Sequence, residues 1–318
     1  MKFFDADATR AGLSFDRLIP ALRDMFRDGC QVPPRHVHTI DGPRGGGVSL
    51  IMPAWQPGGW LGIKTVNVYA GNAEIAAADG HRVPGLFSTY ILYDATTGEP
   101  TAMLDGNEIT SRRTAAASAL AASWLAAPDA ATQLVVGCGR VGSLVAEAYR
   151  AVLPIRTVLV WDRQTAHAAA LVRRLAASGI AAEVATDLET AVRAADVITC
   201  ATLATEPLIR GQWLRPGSHL DLIGSFTPAM READDECFSG CALYVDTAEA
   251  LQKSGELLGP MSRGVFAAGD VRGDLAQLAR GEVPGRAAGD RSRTVFKSVG
   301  TALEDLAAAA LVMRHAGA

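Results

Sequence analysis

Six residues, Gly137-Cys138-Gly139-Arg140-Val141-Gly142, follow the apolar run Gln133-Leu134-Val135-Val136 and lead into the helix-compatible stretch Ser143–Val152. A GxGxxG pattern on a strand-to-helix turn restricts the fold sharply. The first two glycines permit a tight turn and let backbone N–H groups approach a pyrophosphate, while the third lets the helix pack close to the strand. The helix N-terminus then presents partial positive charge to the phosphates. A second apolar run, Thr157–Trp161, ends in Asp162, twenty residues beyond Gly142, where an acidic side chain is placed to meet an adenosine ribose. Together these features predict a dinucleotide site. The competing reading is a doubly wound domain whose glycines serve packing alone.

The 318 residues are long for one core and predict about two domains. Apolar residues make up 49% and charged residues 20%, which excludes long disorder, and a net charge of −4 supplies no basic stripe for nucleic acid. The start, Met1-Lys2-Phe3-Phe4-Asp5-Ala6-Asp7, turns acidic instead of continuing into an apolar signal core, and no run of 18 apolar residues occurs. The expectation is a cytoplasmic protein that does not enter a membrane. Cysteines at 30, 138, 200, 237 and 241 form no CxxC pair and read as reduced thiols. Cys237-x3-Cys241 has the wrong spacing for a zinc ribbon, and His36 and His38 share a strand face without a third ligand, so no metal is expected.

Texture changes near residue 115. Before it the chain is rich in Gly and Pro, with an amphipathic helix at Phe15–Phe26 and strands at Val48–Met52, Leu61–Val68 and Ser88–Tyr93. Asp94-Ala95-Thr96-Thr97-Gly98-Glu99-Pro100 reads as a hairpin turn into Thr101–Leu104. An Ala-rich helical segment, Thr110–Ala127, is ended by Pro128. Beyond it, strands at 133–136, 157–161, 182–185 and 196–200 alternate with helices at 141–152, 165–177 and 187–194, with further strands near His219–Ile223 and Leu243–Val245. Thr294–His315 reads as one apolar helix that returns to the N-terminal part. The predicted fold is α/β: a Rossmann doubly wound parallel sheet at 116–293, plus a discontinuous α+β domain from 1–115 and 294–318.

Further stretches, taken in order, resemble the ornithine cyclodeaminase/mu-crystallin family over nearly the whole chain. They are Gly62-Ile63-Lys64, Asp94 to Pro100, Thr110-Ser111-Arg112-Arg113-Thr114-Ala115-Ala116, the GxGxxG, Pro216-Gly217-Ser218-His219, Gly224-Ser225-Phe226-Thr227-Pro228, Gly269-Asp270-Val271, Pro284-Gly285-Arg286 and Val295 to Gly300. The resemblance implies an NAD(P)-dependent enzyme of α-amino or α-imino acids. It also implies a homodimer built through the non-Rossmann domain, which carries substrate binding. Cyclodeaminases, alanine dehydrogenases, ketimine reductases and opine-type synthases share the scaffold, so the resemblance leaves the reaction open. It assigns the substrate carboxylate to Lys64, Arg113 and Arg35. A guanidinium grips a carboxylate bidentately and an ammonium adds a compact charge. Adjacent Arg112 is an alternative ligand, because a one-residue shift changes the helix face.

The departures from the cyclodeaminase pattern narrow the chemistry. Where cyclodeaminases and related alanine dehydrogenases carry an acidic residue, this chain has Phe226, which neither gives nor takes a proton. The stretch Val48-Ser49-Leu50-Ile51-Met52, which should supply a partner for ornithine's distal ammonium, is apolar. Reduction of a cyclic ketimine needs less: a hydride, a held carboxylate and a largely dry pocket. Phe226 suits it by covering one face of the ring while the nicotinamide covers the other, with Met52 and Trp55 as wall residues. A core role is the plain alternative for Phe226. The leading expectation is reduction of Δ1-pyrroline-2-carboxylate, and of Δ1-piperideine-2-carboxylate, to proline and pipecolate, with Lys64 as candidate proton donor if burial lowers its pKa. Alanine dehydrogenase or ornithine cyclodeaminase activity, and an NADPH/small-ligand binding protein, are the other readings. Asp162 favours NADH while Arg163 suits the NADPH 2′-phosphate, which predicts use of both. Thr202, Gly224 and Ser225 are expected beside the cofactor from topology alone. Asp234, Asp235 and Glu236 read as a solvated helix start.

Overall fold

The computed structural model describes residues 1–42, 45–69, 71, 72, 75 and 83–315. They divide into two compact units, Met1–Arg113 with Thr301–Ala318, and Thr114–Gly300. The first begins with β1 (Lys2–Phe4), α1 (Ala6–Ala11), α2 (Phe15–Asp28), β2 (His36–Ile40), β3 (Gly47–Trp55), β4 (Trp60–Val68), β5 (Leu86–Asp94), β6 (Pro100–Asp105) and the early turns of α3 (Gly106–Leu125). The second contains the rest of α3, then β7 (Thr132–Val136), α4 (Gly142–Arg150), β8 (Thr157–Trp161), α5 (Thr165–Ala177), β9 (Ala182–Val184), α6 (Leu188–Ala194), β10 (Val197–Cys200) and β11 (His219–Leu222). It continues with β12 (Ala242–Val245), α7 (Ala250–Lys253), α8 (Gly255–Ser262), β13 (Gly273–Asp274), α9 (Leu275–Arg280) and β14 (Thr294–Lys297), and α10 (Ala302–His315) returns to the first unit.

In the first unit the described strands form a sheet ordered β1-β6-β5-β4-β3-β2, antiparallel except for the β1–β6 pair. Period-two alternation buries Gly62, Lys64 and Val66 of β4 on one face. Cross-strand register then aligns Met52, Lys64, Tyr90 and Leu104 in one row, and all four are buried. Helix α10 packs on β3, β4 and β5 and on α2. On α2, Leu18, Ile19, Leu22, Met25 and Phe26 recur at helical spacing and are buried, each stabilising by about 1.5–3 kcal/mol. The predicted hairpin turn is present: Asp94 Oδ1 accepts from the N–H groups of Thr96 and Thr97 at 2.7 and 2.9 Å, and Gly98 takes φ +76°.

The second unit holds a wholly parallel sheet ordered β13-β12-β14-β11-β10-β7-β8-β9. Strands β10, β11 and β14 are buried at every position, as expected for strands covered on both faces. Chain order reverses between β7 and β10, which makes the carboxyl ends of those two strands the topological switch point.

Two sequence expectations change. Thr294–His315 is not one helix, because Thr294–Lys297 inserts as β14 between β11 and β12 and only Ala302–His315 is helical. The second unit therefore runs to Gly300 rather than to 293. An apolar run of this kind, Thr294-Val295-Phe296, is ambiguous between strand and helix in sequence. The other change is the start of α3 at Gly106, where Asp105 Oδ1 accepts from the Glu108 N–H at 2.7 Å. That cap places Arg113 two turns inside the helix instead of at its beginning.

Candidate active site

Gly137 takes φ +96°, and a Cβ there would meet the Ala201 carbonyl oxygen at 2.7 Å. Gly142 is tighter: a Cβ would lie 2.0 Å from the Gly137 carbonyl oxygen, so helix α4 starts against the turn that precedes it. Gly139 differs, because nothing lies within 4 Å of its Cβ position and it faces open space. Two of the motif's glycines thus serve close backbone approach and one leaves room. A cavity of about 710 Å³ opens there, lined by Gly139, Trp161, Asp162, Arg163, Thr202 and Leu203 among others. Its donors, glycine turn and acidic strand end fit a dinucleotide.

Asp162 holds this turn together. Its Oδ2 accepts from the Cys138 N–H and its Oδ1 from the Gln164 N–H, each at 2.9 Å. Although burial works the other way, those two N–H groups keep the carboxyl below its ordinary pKa. Arg163 is exposed on the same cavity, and His167 Nδ1 lies 3.5 Å from Asp162 Oδ1. His167 and the exposed Leu203 were not anticipated from sequence; both lack a motif. Arg140 is exposed and Val141 half-buried as the turn enters α4. Burial pushes the Cys138 thiol up to about 12, so it carries no thiolate at neutral pH.

The ends of β10 and β11 are joined by a residue that sequence reasoning missed. Glu232 is fully buried; its Oε1 accepts from the Thr202 N–H at 2.7 Å and hydroxyl at 2.8 Å, and its Oε2 from the Gly224 N–H at 2.7 Å. Glu256 in turn accepts from the N–H groups of Glu232 and Ala233. Ser225 is buried and turned into the loop, donating to the Met230 carbonyl at 2.6 Å. Phe226, the next residue, is 52% exposed, so it is not core. Asp234 caps a short 3-10 turn and Asp235 pairs with Arg231 and Arg263, which makes this acidic run structural.

In the first unit, Lys64 and Arg113 are brought together by two carboxylates at the start of α10. Asp305 Oδ2 lies 2.5 Å from Lys64 Nζ, Asp305 Oδ1 accepts from Arg113 Nε at 2.9 Å, and Glu304 Oε2 accepts from Arg113 Nη1 at 2.5 Å. Lys64 is 2% exposed. Two cations thus face two anions, and the clamp read from sequence is closed on its own chain. A lysine on the inner face of a strand requires such partners, since an unpaired buried charge costs several kcal/mol. Burial first, and Arg113 next to it, push Lys64 down to about 8 against the pull of Asp305. Burial opposes the charge of Arg113 too, but Asp305 and Glu304 outweigh it and raise its pKa. Arg112 faces elsewhere, donating to the Leu13 carbonyl at 2.6 Å with its guanidinium 4.3 Å from the Phe15 ring centroid. Arg35 is half-buried and precedes β2 at the sheet edge, where register continues the Met52–Lys64 row towards it. Met52 is buried and Trp55 half-buried at the end of β3.

Residues 9–317 match the model of the ornithine cyclodeaminase/mu-crystallin family. The chain belongs to this family. Among its members, a Δ1-pyrroline-2-carboxylate reductase of Paracoccus denitrificans is 38% identical over 92% of this chain and 90% of its own length. The solved Δ1-pyrroline-2-carboxylate reductase of Thermococcus litoralis, in complex with NADH and L-proline, superposes with a TM-score of 0.90 at 29% identity, covering 99% of this chain and 97% of that one. An archaeal alanine dehydrogenase dimer with bound NAD reaches 0.89 at 29% identity, over 99% and 96%. The family scaffold therefore carries more than one reaction, and the side chains must distinguish them. No helix among the described residues is long and apolar enough to cross a membrane.

Proposed function

We propose that this chain is an NAD(P)H-dependent oxidoreductase that reduces cyclic ketimines, Δ1-pyrroline-2-carboxylate first and Δ1-piperideine-2-carboxylate second, to L-proline and L-pipecolate. The observation that carries this reading is the exposed aromatic ring of Phe226, at the position to which the family resemblance assigns the acid of cyclodeaminases. Similarity to reductases of this substrate supports it.

The turn at Gly137–Gly142, with Asp162 and Thr202, would hold the reduced cofactor, whose chemistry when bound would be hydride donation to the imine carbon. Arg113 and Lys64 hold the substrate carboxylate, with Arg35 as a further cation. Lys64, pushed down to about 8 by burial, gives a proton to the ring nitrogen: an Nζ–H bond breaks, an N–H bond forms, and water reprotonates the amine. Phe226 offers an apolar face that neither hydrates nor deprotonates the ring. Asp162 favours NADH and Arg163 the NADPH phosphate, so both serve. Like the archaeal dehydrogenase, the chain is proposed to form a dimer, through its first unit.

Alanine dehydrogenase activity is the second reading, favoured by that same structure, but it requires an acid or base for carbinolamine chemistry that Phe226 does not supply. Reduction with cofactor deuterated at C4 tests the assignment. Proline with one deuterium at Cα is expected; unlabelled proline, or labelled alanine formed faster from pyruvate and ammonia, would overturn it.

A further inference from the structure

Lys64 and Arg113 come from different elements, β4 and α3, yet one side chain touches both. The two oxygens of Asp305 are divided between them, Oδ2 to Lys64 and Oδ1 to Arg113, and the carboxylate is fully buried. Glu304 adds a contact to Arg113. Asp305 lies in the first turn of α10, where the helix dipole favours a negative charge.

From this arrangement we infer that Asp305 is the positioning residue of the site: its divided carboxylate fixes the spacing of Lys64 and Arg113 and keeps Lys64 charged until it delivers its proton. This rests on the reading of Lys64 as proton donor. The groups facing Lys64 are Asp305 and Glu304 of α10, Arg113 and Thr110 of α3, Tyr90 across the strand pair to β5, and uncharged Met52 across the pair to β3. Arg113 disfavours the ammonium, whereas Asp305 and Glu304 favour it. Asp305 is thus the principal group holding the ammonium against burial. A merely neutralising anion would require no fixed orientation; Asp305 has one, because each oxygen is committed to a different cation.

The chain has four lysines, at 2, 64, 253 and 297, so side-chain ammonium signals of the full-length protein are resolvable by NMR after lysine-specific isotope labelling, with Lys64→Arg assigning its own signal. In Asp305→Asn, the Lys64 titration midpoint is expected to fall by about one unit or more. The alkaline limb of kcat/KM should move by the same amount, with the NADH dissociation constant within about twofold of wild type, since a tenfold change would cost about 1.4 kcal/mol. Asp305→Glu keeps the charge but displaces the oxygens: a midpoint within about half a unit of wild type, with kcat lowered about tenfold, is expected. An unmoved Lys64 midpoint in folded Asp305→Asn would overturn the inference, as would an equal loss of kcat/KM at every pH. If Asp305→Asn fails to fold, Asp305→Glu with wild-type kcat overturns it alone. Absence of imino-acid turnover by the wild type would sink the proposed function, while the NMR titration would still decide whether Asp305 governs Lys64.

Discussion

The backbone N–H of Cys138 donates to Asp162 Oδ2 across 2.9 Å, so the residue that follows β8 is also a strut of the glycine turn after β7. Asp162→Asn keeps the shape and an acceptor oxygen while removing the charge. The KM for NADH should rise about tenfold, the loss of a charged hydrogen bond to a ribose diol, and that for NADPH should stay within about threefold. Steady-state kinetics with both cofactors decide this. Equal losses would mean that Asp162 acts only as the strut.

Gly142 and Gly139 separate packing from binding within one motif. Gly142→Ala drives a methyl group into the Gly137 carbonyl, a backbone atom that cannot swing away, and should destabilise by about 3 kcal/mol. Gly139→Ala meets no neighbour, so its stability should stay within about 0.5 kcal/mol of wild type while cofactor affinity drops. Denaturant unfolding with cofactor titration of each variant tests the pair. Normal affinity in folded Gly139→Ala would remove the cofactor from this turn.

Asp221 donates a pH dependence to the second unit. It accepts from Ser118 Oγ at 3.1 Å and Tyr149 Oη at 2.8 Å, yet burial pushes its carboxyl up to about 7. The fold therefore favours its neutral form, and the unfolded chain gives the proton up near pH 4, about its ordinary value. Its contribution is complete below that pH and is lost as pH rises to about 7. Asp221→Asn removes this slope, while His219 and the other buried groups are common to both chains. The stability of the variant relative to wild type should rise by about 2 kcal/mol between pH 5 and 7.5. A pH-independent difference would show that Asp221 is ionised throughout.

Phe226 is exposed, so its replacement should leave the melting temperature unchanged within about two degrees. Phe226→Ala should raise KM for the cyclic imine about tenfold, as expected for losing the buried area of one aromatic face, and Phe226→Leu should restore most of it. Wild-type KM in the alanine variant would remove the ring from substrate contact.

Most of the parallel sheet was legible because its strands are short, largely apolar runs separated by helical periods, and the GxGxxG had a strand before it and a helix after it. Strands β13 and β14 were not, since Gly273-Asp274 is only two residues long and Thr294-Val295-Phe296-Lys297, ahead of an Ala-rich helix, carries no period of its own. In the site, Lys64 and Arg113 stood out as cations in a recognisable order, whereas their partners Glu304 and Asp305 lay inside the stretch read as one helix, Thr294–His315, with no motif to mark them. Glu232 was invisible for a related reason: its partners are two backbone N–H groups, which leave no mark in a sequence, and the hydroxyl of Thr202, thirty residues away. Pairings made at long range, Lys64 to Asp305 and Thr202 to Glu232, need the fold before they can be seen.

The most direct measurement is oxidation of NADH and NADPH by the purified protein with Δ1-pyrroline-2-carboxylate, set against ornithine with NAD under ammonia detection. Rapid reduction to proline, with no ammonia from ornithine, is the predicted result. Ammonia and proline from ornithine, with slow turnover of the cyclic imine, would contradict it and return the chain to cyclodeaminase chemistry despite Phe226.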